Sequence, residues 1–351
     1  DLIYSKLHIA GLKLLFGCKD TKIIPFMQII CVFYLFFVPL LPKLLPFRKI
    51  KFKITFMIGV FDSGYGGLTI LNNIRRLLPQ YDYIYLGDNA RAPYGTRSFD
   101  VIYEYTLQAV NFLHQQGCNL IILACNTASA KALRTIQQNN INPDELRVLG
   151  VIRPTVEVVP QRTKNKHIGV LATPGTVTSE SYIIELLKQD PSLIITQQAC
   201  PMWVPLIEAG EHIDCGANYF IDKYLNELLS KDPLIDTIIL GCTHYPLIQK
   251  KIEASLSKYD HHISIIAQGE IVATSLADYL NRHPDIAQRA LEQKIQPTLT
   301  QSANHSIRTD SANHPSPYSL FLTTESATKF SESASLFLSE HVQANHIELL
   351  T

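Results

Sequence analysis

A chain of 351 residues, 46% apolar and 18% charged, is long enough for two α/β domains and is not disordered by composition. Its 31 basic and 31 acidic residues cancel, which argues against nucleic acid as a partner. Seven cysteines, an odd number without a close CxxC pair, suit neither a disulfide framework nor a zinc or thiol-exchange site, and fit reduced thiols.

Residues 1–57 hold nine Lys/Arg against two Asp, a net of +7, so the remainder carries −7. Within them runs IIPFMQIICVFYLFFVPLLP (23–42), apolar apart from Gln28 and interrupted by Pro25, Pro39 and Pro42. It is long enough to cross a bilayer as a helix. Lys43, Arg48, Lys49, Lys51 and Lys53 follow, and would keep the downstream part on the cytoplasmic side. No short basic region and small-residue cleavage site frame a secretory signal. Two readings stand side by side: a membrane-associated segment, or an extension foreign to the working protein, since Met57 directly precedes the first core strand.

From residue 58 the pattern becomes regular. MIGVF (57–61) reads as a buried strand, DSGYGG as a turn, and LTILNNIRRLL (68–78) as a helix with apolar residues at helical spacing. YDYIYLGD (81–88) is a second strand, and 98–117 a helix closed by Gly117. NLIILACNT (119–127) is a third strand, ASAKALRTIQQ (128–138) a helix, and LRVLGVI (146–152) a fourth strand. Continuous aliphatic strands alternating with helices predict a parallel sheet covered on both faces.

The second half repeats the plan. HIGVLATPGTVTS (167–179) parallels MIGVFDSGYGG, and DTIILGCTHYP (236–246) parallels NLIILACNTAS. LIITQQACP (193–201) supplies another strand, 212–230 a helix, and HHISIIAQG (261–269) a last strand before the helix EIVATSLADYLNR. The two similar units each end a strand in a cysteine, Cys125 and Cys242. Residues 283–351 form a polar tail expected to be largely disordered, with only a weakly helical SASLFLSEHVQ (333–343).

In parallel sheets, ligands bind beyond the carboxyl ends of the strands. Five polar clusters fall there: Asp62-Ser63-Gly64, Asp88-Asn89 leading to Pro93-Tyr94-Gly95, Cys125-Asn126-Thr127, Thr173 to Thr176, and Cys242-Thr243-His244. Taken singly, each has an ordinary structural reading as a helix cap, a turn or core filling. GVFDSGYGG lacks GxGxxG spacing and no GxxxxGK[ST] follows, so a carboxylate at its amides is preferred to a nucleotide. Each cysteine sits just before a helix, where amides or a neighbouring base favour a thiolate. His244 lies two residues from Cys242, and adjacent strands bring Asp62 toward Cys125. Hydrolytic Cys–His chemistry would use one cysteine and leave the other without a task. Inverting a stereocentre needs a base on one face of a carbon and an acid on the other, which occupies both. Ser63, Asn126, Thr127, Thr243 and loop amides are available as donors to the substrate carboxylate.

With DSGYGGLT (62–69), GDNARAPYG (87–95), ACNTAS (124–129), IGVLATPGTVTS (168–179), CPMWVPLIEAG (200–210) and GCTHYP (241–246) in order, the chain resembles the glutamate racemases of the aspartate/glutamate racemase superfamily. The resemblance covers about 225 residues and implies an α/β fold of two pseudo-symmetric parallel-sheet domains facing each other across an active-site cleft. It groups 58–156 with 247–282 as the first domain and leaves 157–246 as the second. It implies catalysis without pyridoxal phosphate, metal or any other cofactor. Cys125 would take the α-proton of D-glutamate and Cys242 that of L-glutamate, assisted by Asp62 and His244 respectively, with Glu208 a further acidic residue. Ser63, Pro93, Tyr94, Gly95, Asn126, Thr127 and Thr243 would hold glutamate. It further implies D-glutamate for peptidoglycan, a cytoplasmic location and a homodimer, with membrane association only through 23–42.

Two positions depart from the family pattern: Asn89 stands where Thr is frequent, and RPTVE (153–157) replaces a small-residue form. Ser129, where many aspartate-type relatives have His, favours glutamate over the alternative of an aspartate or related amino-acid racemase. A non-enzymatic regulatory protein on the same scaffold is the rival from another class, and the intact Cys125, Cys242, Asp62 and His244 argue against it.

Overall fold

The computed structural model describes residues 57–259, 261–291 and 318–349. The N-terminal extension, its apolar run at 23–42 and the polar stretch of the tail up to residue 317 lie outside them. No helix among the described residues is long and apolar enough to cross a membrane.

The first half runs β1 (Ile58–Asp62), α1 (Leu68–Leu77), β2 (Tyr83–Gly87), α2 (Phe99–Gln115), β3 (Leu120–Leu123), α3 (Asn126–Lys131), α4 (Leu133–Asn139), β4 (Arg147–Gly150) and α5 (Ile152–Glu157). The second runs β5 (His167–Ala172), α6 (Pro174–Thr178), α7 (Ser181–Gln189), β6 (Ile194–Ala199), α8 (Trp203–Glu208), α9 (Gly216–Lys231), β7 (Thr237–Gly241), α10 (Gln249–Leu256) and β8 (Ser264–Ile266). The chain then forms α11 (Gly269–Arg282), α12 (Pro284–Leu291), β9 (Ser319–Thr323), α13 (Ala327–Leu338) and β10 (Ala344–His346).

Both sheets are wholly parallel. Their orders are β10-β9-β2-β1-β3-β4 and β6-β5-β7-β8. The stretch β2-β1-β3-β4 has the same order as β6-β5-β7-β8, which is the duplication expected from the sequence. β1 and β5 are central and every residue of β1, β2, β3 and β7 is buried, so their aliphatic runs reflect helices on both faces. On one face of the first sheet Leu68, Leu71 and Ile74 of α1 meet Val272 and Leu276 of α11; on the other lie Ile102, Val110 and Leu113 of α2. Each fully buried aliphatic side chain of this kind is worth about 1.5–3 kcal/mol.

Two segments fold differently from the sequence expectation. Residues 247–266 were grouped with the first half, but β8 pairs with β7 and Ile252 and Leu256 of α10 pack among residues of the second. Within 247–282, only α11 returns to the first half. The tail was expected to be largely disordered, yet β9 adds to β2 with Tyr85 opposite Phe321, and β10 adds to β9. Phe330, Ala334 and Leu338 of α13 are buried with α1, Phe330 against Tyr65 and Tyr85 at ring-centroid distances of 5.3 and 6.1 Å. A five-residue strand beyond a polar linker offers no periodicity to detect, and its partner lies more than 230 residues away.

Candidate active site

The register places the reactive groups. Phe61 pairs with Leu123, so Asp62 and Cys125 leave neighbouring strand tips one residue apart in level. Ala172 pairs with Gly241, so Thr173 and Cys242 leave neighbouring strand tips of the second half at the same level. These tips face one cleft, lined by Ser63, Pro93, Tyr94, Gly95, Cys125, Asn126, Thr127, Thr173, Cys200, Glu208, Cys242, Thr243 and His244 among others. Its volume is about 70 Å³, small against the ~300–1,000 Å³ of pockets for drug-sized ligands, and suits a compact metabolite. A larger hollow of about 250 Å³ lies at the opposite ends of the strands, lined by Met57, Asn119, Glu145, Arg147 and Arg289. It holds neither cysteine nor histidine. Parallel sheets bind ligands at the carboxyl ends, so the smaller cleft is the candidate.

Cys125 caps α3, its sulfur accepting from the Ala128 N–H at 3.5 Å and lying 3.4 Å from Ser63 Oγ. Burial, reinforced by the Asp62 carboxylate, pushes its thiol up to about 12, against the contacts from Ser63 and Ala128. At neutral pH Cys125 is therefore held as a thiol. Asp62 is fully buried; its Oδ2 accepts from Gly64 N–H at 3.0 Å and its Oδ1 from Thr243 Oγ1 at 3.4 Å. Burial raises its pKa, while His244 and the amides of Gly67 and Gly64 pull the other way.

The second cysteine has a different environment. Cys242 Sγ lies 3.8 Å from His244 Nδ1, and His244 Nε2 lies 3.1 Å from Glu208 Oε1. Burial opposes a charge on this imidazole, but contact with Cys242 and Glu208 outweighs it and raises the His244 pKa to about 10. One thiol is thus set against a carboxylate and the other against an imidazolium. The two halves of the site are duplicated in backbone and opposite in charge.

The remaining predicted residues hold the halves together at the same place. Thr127 Oγ1 lies 2.9 Å from Thr173 Oγ1, and Gly175 N–H donates to Gly95 O at 2.7 Å, both across the cleft. Tyr94 donates to Asp88, which also accepts from Arg91 Nε at 2.7 Å and Thr324 Oγ1 at 2.8 Å. The unanticipated C-terminal return therefore braces the loop that carries Pro93, Tyr94 and Gly95. Asn126 is 2% exposed and bonded to Gln268 and Tyr182. Gln268 and Tyr182 carried no signal in the sequence. Thr173 and Cys200 also line the cleft; Thr173 was in a polar cluster and Cys200 inside a matching block, but neither had an assigned task.

The glycine-rich turn after β1 is explained by closeness. A Cβ on Gly66 would lie 2.4 Å from Thr243 Oγ1 and 2.5 Å from His244 Nδ1; one on Gly67 would lie 2.5 Å from the Asp62 Cβ. Gly66 lets the loop after β1 press against the loop after β7, and Gly67 lets its own loop fold back on Asp62. Among the described residues no group of three or more His, Cys, Asp or Glu is arranged to hold a metal, and no Lys or Arg lines the cleft.

A family model described as Asp/Glu/hydantoin racemase matches residues 58–276. Glutamate racemase from Ruegeria sp. (strain TM1040) is 41% identical over 239 residues, covering 65% of this chain and 87% of that protein. The crystal structure of glutamate racemase isoform RacE1 from Bacillus anthracis superposes with a TM-score of 0.71 at 32% identity, covering 84% of this chain and 98% of that one. Glutamate racemase from Francisella tularensis, solved in complex with D-glutamate, gives 0.68 at 31% identity, covering 84% and 98%.

Proposed function

The chain belongs to the Asp/Glu/hydantoin racemase family, and within it to the glutamate racemases; from that premise we propose that it interconverts L- and D-glutamate without a cofactor, supplying D-glutamate for peptidoglycan. The observation that carries the reading is a single small cleft in which two of the three buried cysteines lining it, Cys125 and Cys242, follow equivalent strands of the two halves.

In this reading L-glutamate meets Cys242 as a thiolate beside the His244 imidazolium and Cys125 as a thiol. Cys242 takes the α-proton, and Cys125 delivers its own proton to the opposite face of the carbanion. Two thiols exchange one negative charge, so the proton balance closes. D-glutamate runs the same path backwards, and needs Cys125 as the thiolate. Asp62, fully buried on the Cys125 side with its pKa raised by burial, assists this step. Glu208 supports the imidazolium through His244 Nε2.

The developing carbanion delocalises into the α-carboxylate, which must be met by hydrogen-bond donors. Ser63, Asn126, Thr127 and Thr243 line the cleft as neutral donors, with Pro93, Tyr94 and Gly95 shaping one wall. A Cys–His hydrolase would account for Cys242, His244 and Glu208 but not for a second buried cysteine in the same cleft.

The test is α-deuteration in D₂O by the full-length chain, with L-glutamate and L-aspartate supplied separately. Glutamate should exchange and racemise; faster exchange of aspartate would reject the substrate. The family reading also supports a homodimer, tested by light scattering. Membrane attachment would run through 23–42 alone, and release of the chain by an alkaline wash would refute it.

A further inference from the structure

Gln268 belongs to none of the strand-tip clusters, yet it joins the active-site helix to both places where the chain passes between the sheets. It is 2% exposed and stands between β8 and α11, where the chain returns from the second sheet to the first. The other passage, from β4 to β5, contains α5 and Thr155. Gln268 Nε2 lies 2.9 Å from Thr155 Oγ1, whose hydroxyl in turn donates to Val151 O at 2.7 Å. Thr155 lies in RPTVE, the stretch that departs from the family pattern.

The same carboxamide closes a ring. Asn126 Nδ2 donates to Gln268 Oε1 at 2.6 Å, Gln268 Nε2 donates to the Tyr182 hydroxyl at 3.0 Å, and that hydroxyl donates to Asn126 Oδ1 at 2.8 Å. Each group donates once and accepts once, so the bonds polarise one another in one direction. The two hydrogens of Nε2 are used by Thr155 and Tyr182; its longer approaches to Asn126 Oδ1 (3.2 Å) and Val151 O (3.4 Å) are secondary. Asn126 begins α3 directly after Cys125, and Tyr182 belongs to α7 of the other half. The ring engages one Asn126 N–H and leaves the second on a residue that lines the cleft.

We propose that Gln268 is a positioning residue that fixes the Asn126 carboxamide, and with it the helix start carrying Cys125, from the junction between the halves. This rests on the two-cysteine reading above. A buried amide that merely completed the fold would satisfy the same bonds, but its loss would lower stability without altering substrate affinity.

The test uses full-length chains carrying Q268L, Y182F, the pair together, and T155V. Q268L and Y182F should each raise KM for glutamate about tenfold, the effect of losing one well-placed hydrogen bond, with kcat changed by less than about threefold. The double variant should be no worse than the worse single, because both break one ring. T155V lies outside the ring and should lower Tm while keeping KM within about twofold. A second readout does not depend on glutamate: the ratio of Cys125 to Cys242 alkylation by iodoacetamide, read by peptide mass spectrometry, should rise at least threefold in Y182F and Q268L. If the wild-type chain fails to racemise glutamate, the functional reading falls while this ratio still decides the role of Gln268. Wild-type KM and labelling ratio in Y182F, whether or not Q268L folds, overturn the proposal, as do fully additive effects in the double variant.

Discussion

Gly66→Ala is a steric probe of how closely the two catalytic loops must approach. The added methyl carbon would lie 2.4 Å from Thr243 Oγ1, 2.5 Å from His244 Nδ1 and 2.7 Å from His244 Cε1. Atoms of this kind rest about 3.5 Å apart, so the Thr243–His244 segment must retreat by about 1 Å. Gly66 does not occupy the left-handed region, so the cost is contact and not backbone strain. The retreat acts on the two bonds that matter: His244 Nδ1 to Cys242 Sγ at 3.8 Å, and Thr243 Oγ1 to Asp62 at 3.4 Å. A misplacement of about 1 Å can cost on the order of 100-fold in rate, or about 2.7 kcal/mol of transition-state stabilisation. Overpacking should lower folding stability by about 1–3 kcal/mol besides. Initial rates followed by circular dichroism give kcat/KM, and urea unfolding gives stability. The loss in kcat/KM must be equal in both directions, since the enantiomers have equal free energy. Gly216→Ala is the control: a Cβ there meets nothing within 4 Å, and wild-type rates are expected. A folded G66A protein with kcat/KM within threefold of wild type would refute the argument that this turn is glycine-rich for the sake of loop contact.

Three further outcomes follow from the same geometry. C125A and C242A, made singly, should each cut racemisation about 1,000-fold while the far-ultraviolet circular dichroism stays native; near-normal turnover in either removes the two-base mechanism. Glu208→Gln deletes the negative charge 3.1 Å from His244 Nε2, so the His244 pKa should drop from about 10 by about one to two pH units and the alkaline limb of kcat should move down with it. Because this pKa is raised above its unfolded value of 6.5, the stability it contributes is complete below pH 6.5 and lost as pH rises toward 10. E208Q should therefore weaken the pH dependence of the urea midpoint between those limits, and an unmoved alkaline limb would mean that another group titrates. A fragment of residues 57–282 should fail to fold: it loses buried Phe321, Leu322, Phe330, Leu338 and Val342. At about 1.5–3 kcal/mol each these match the whole margin of a typical domain. A soluble fragment with native circular dichroism would contradict that accounting.

The sequence by itself determined what is local or repeated. Aliphatic runs bounded by small residues gave the strands β1, β3, β5 and β7, since a strand buried on both faces needs apolar side chains throughout. The recurrence of those runs gave the two halves, and the residues at the strand ends gave Asp62, Cys125, Cys242 and His244, because strand ends of a parallel sheet share one side. What needed three dimensions is whatever depends on partners distant in sequence. Glu208 reaches His244 across 36 residues, Thr324 braces Asp88 across 236, and Gln268 meets Asn126 across 142. β8 and the C-terminal strands found their sheets through register and edge pairing, for which a three- or five-residue segment holds no periodic signature. The charge asymmetry between the two thiols was likewise decided by tertiary structure: burial sets the state of Cys125, and burial is a property of everything packed around it.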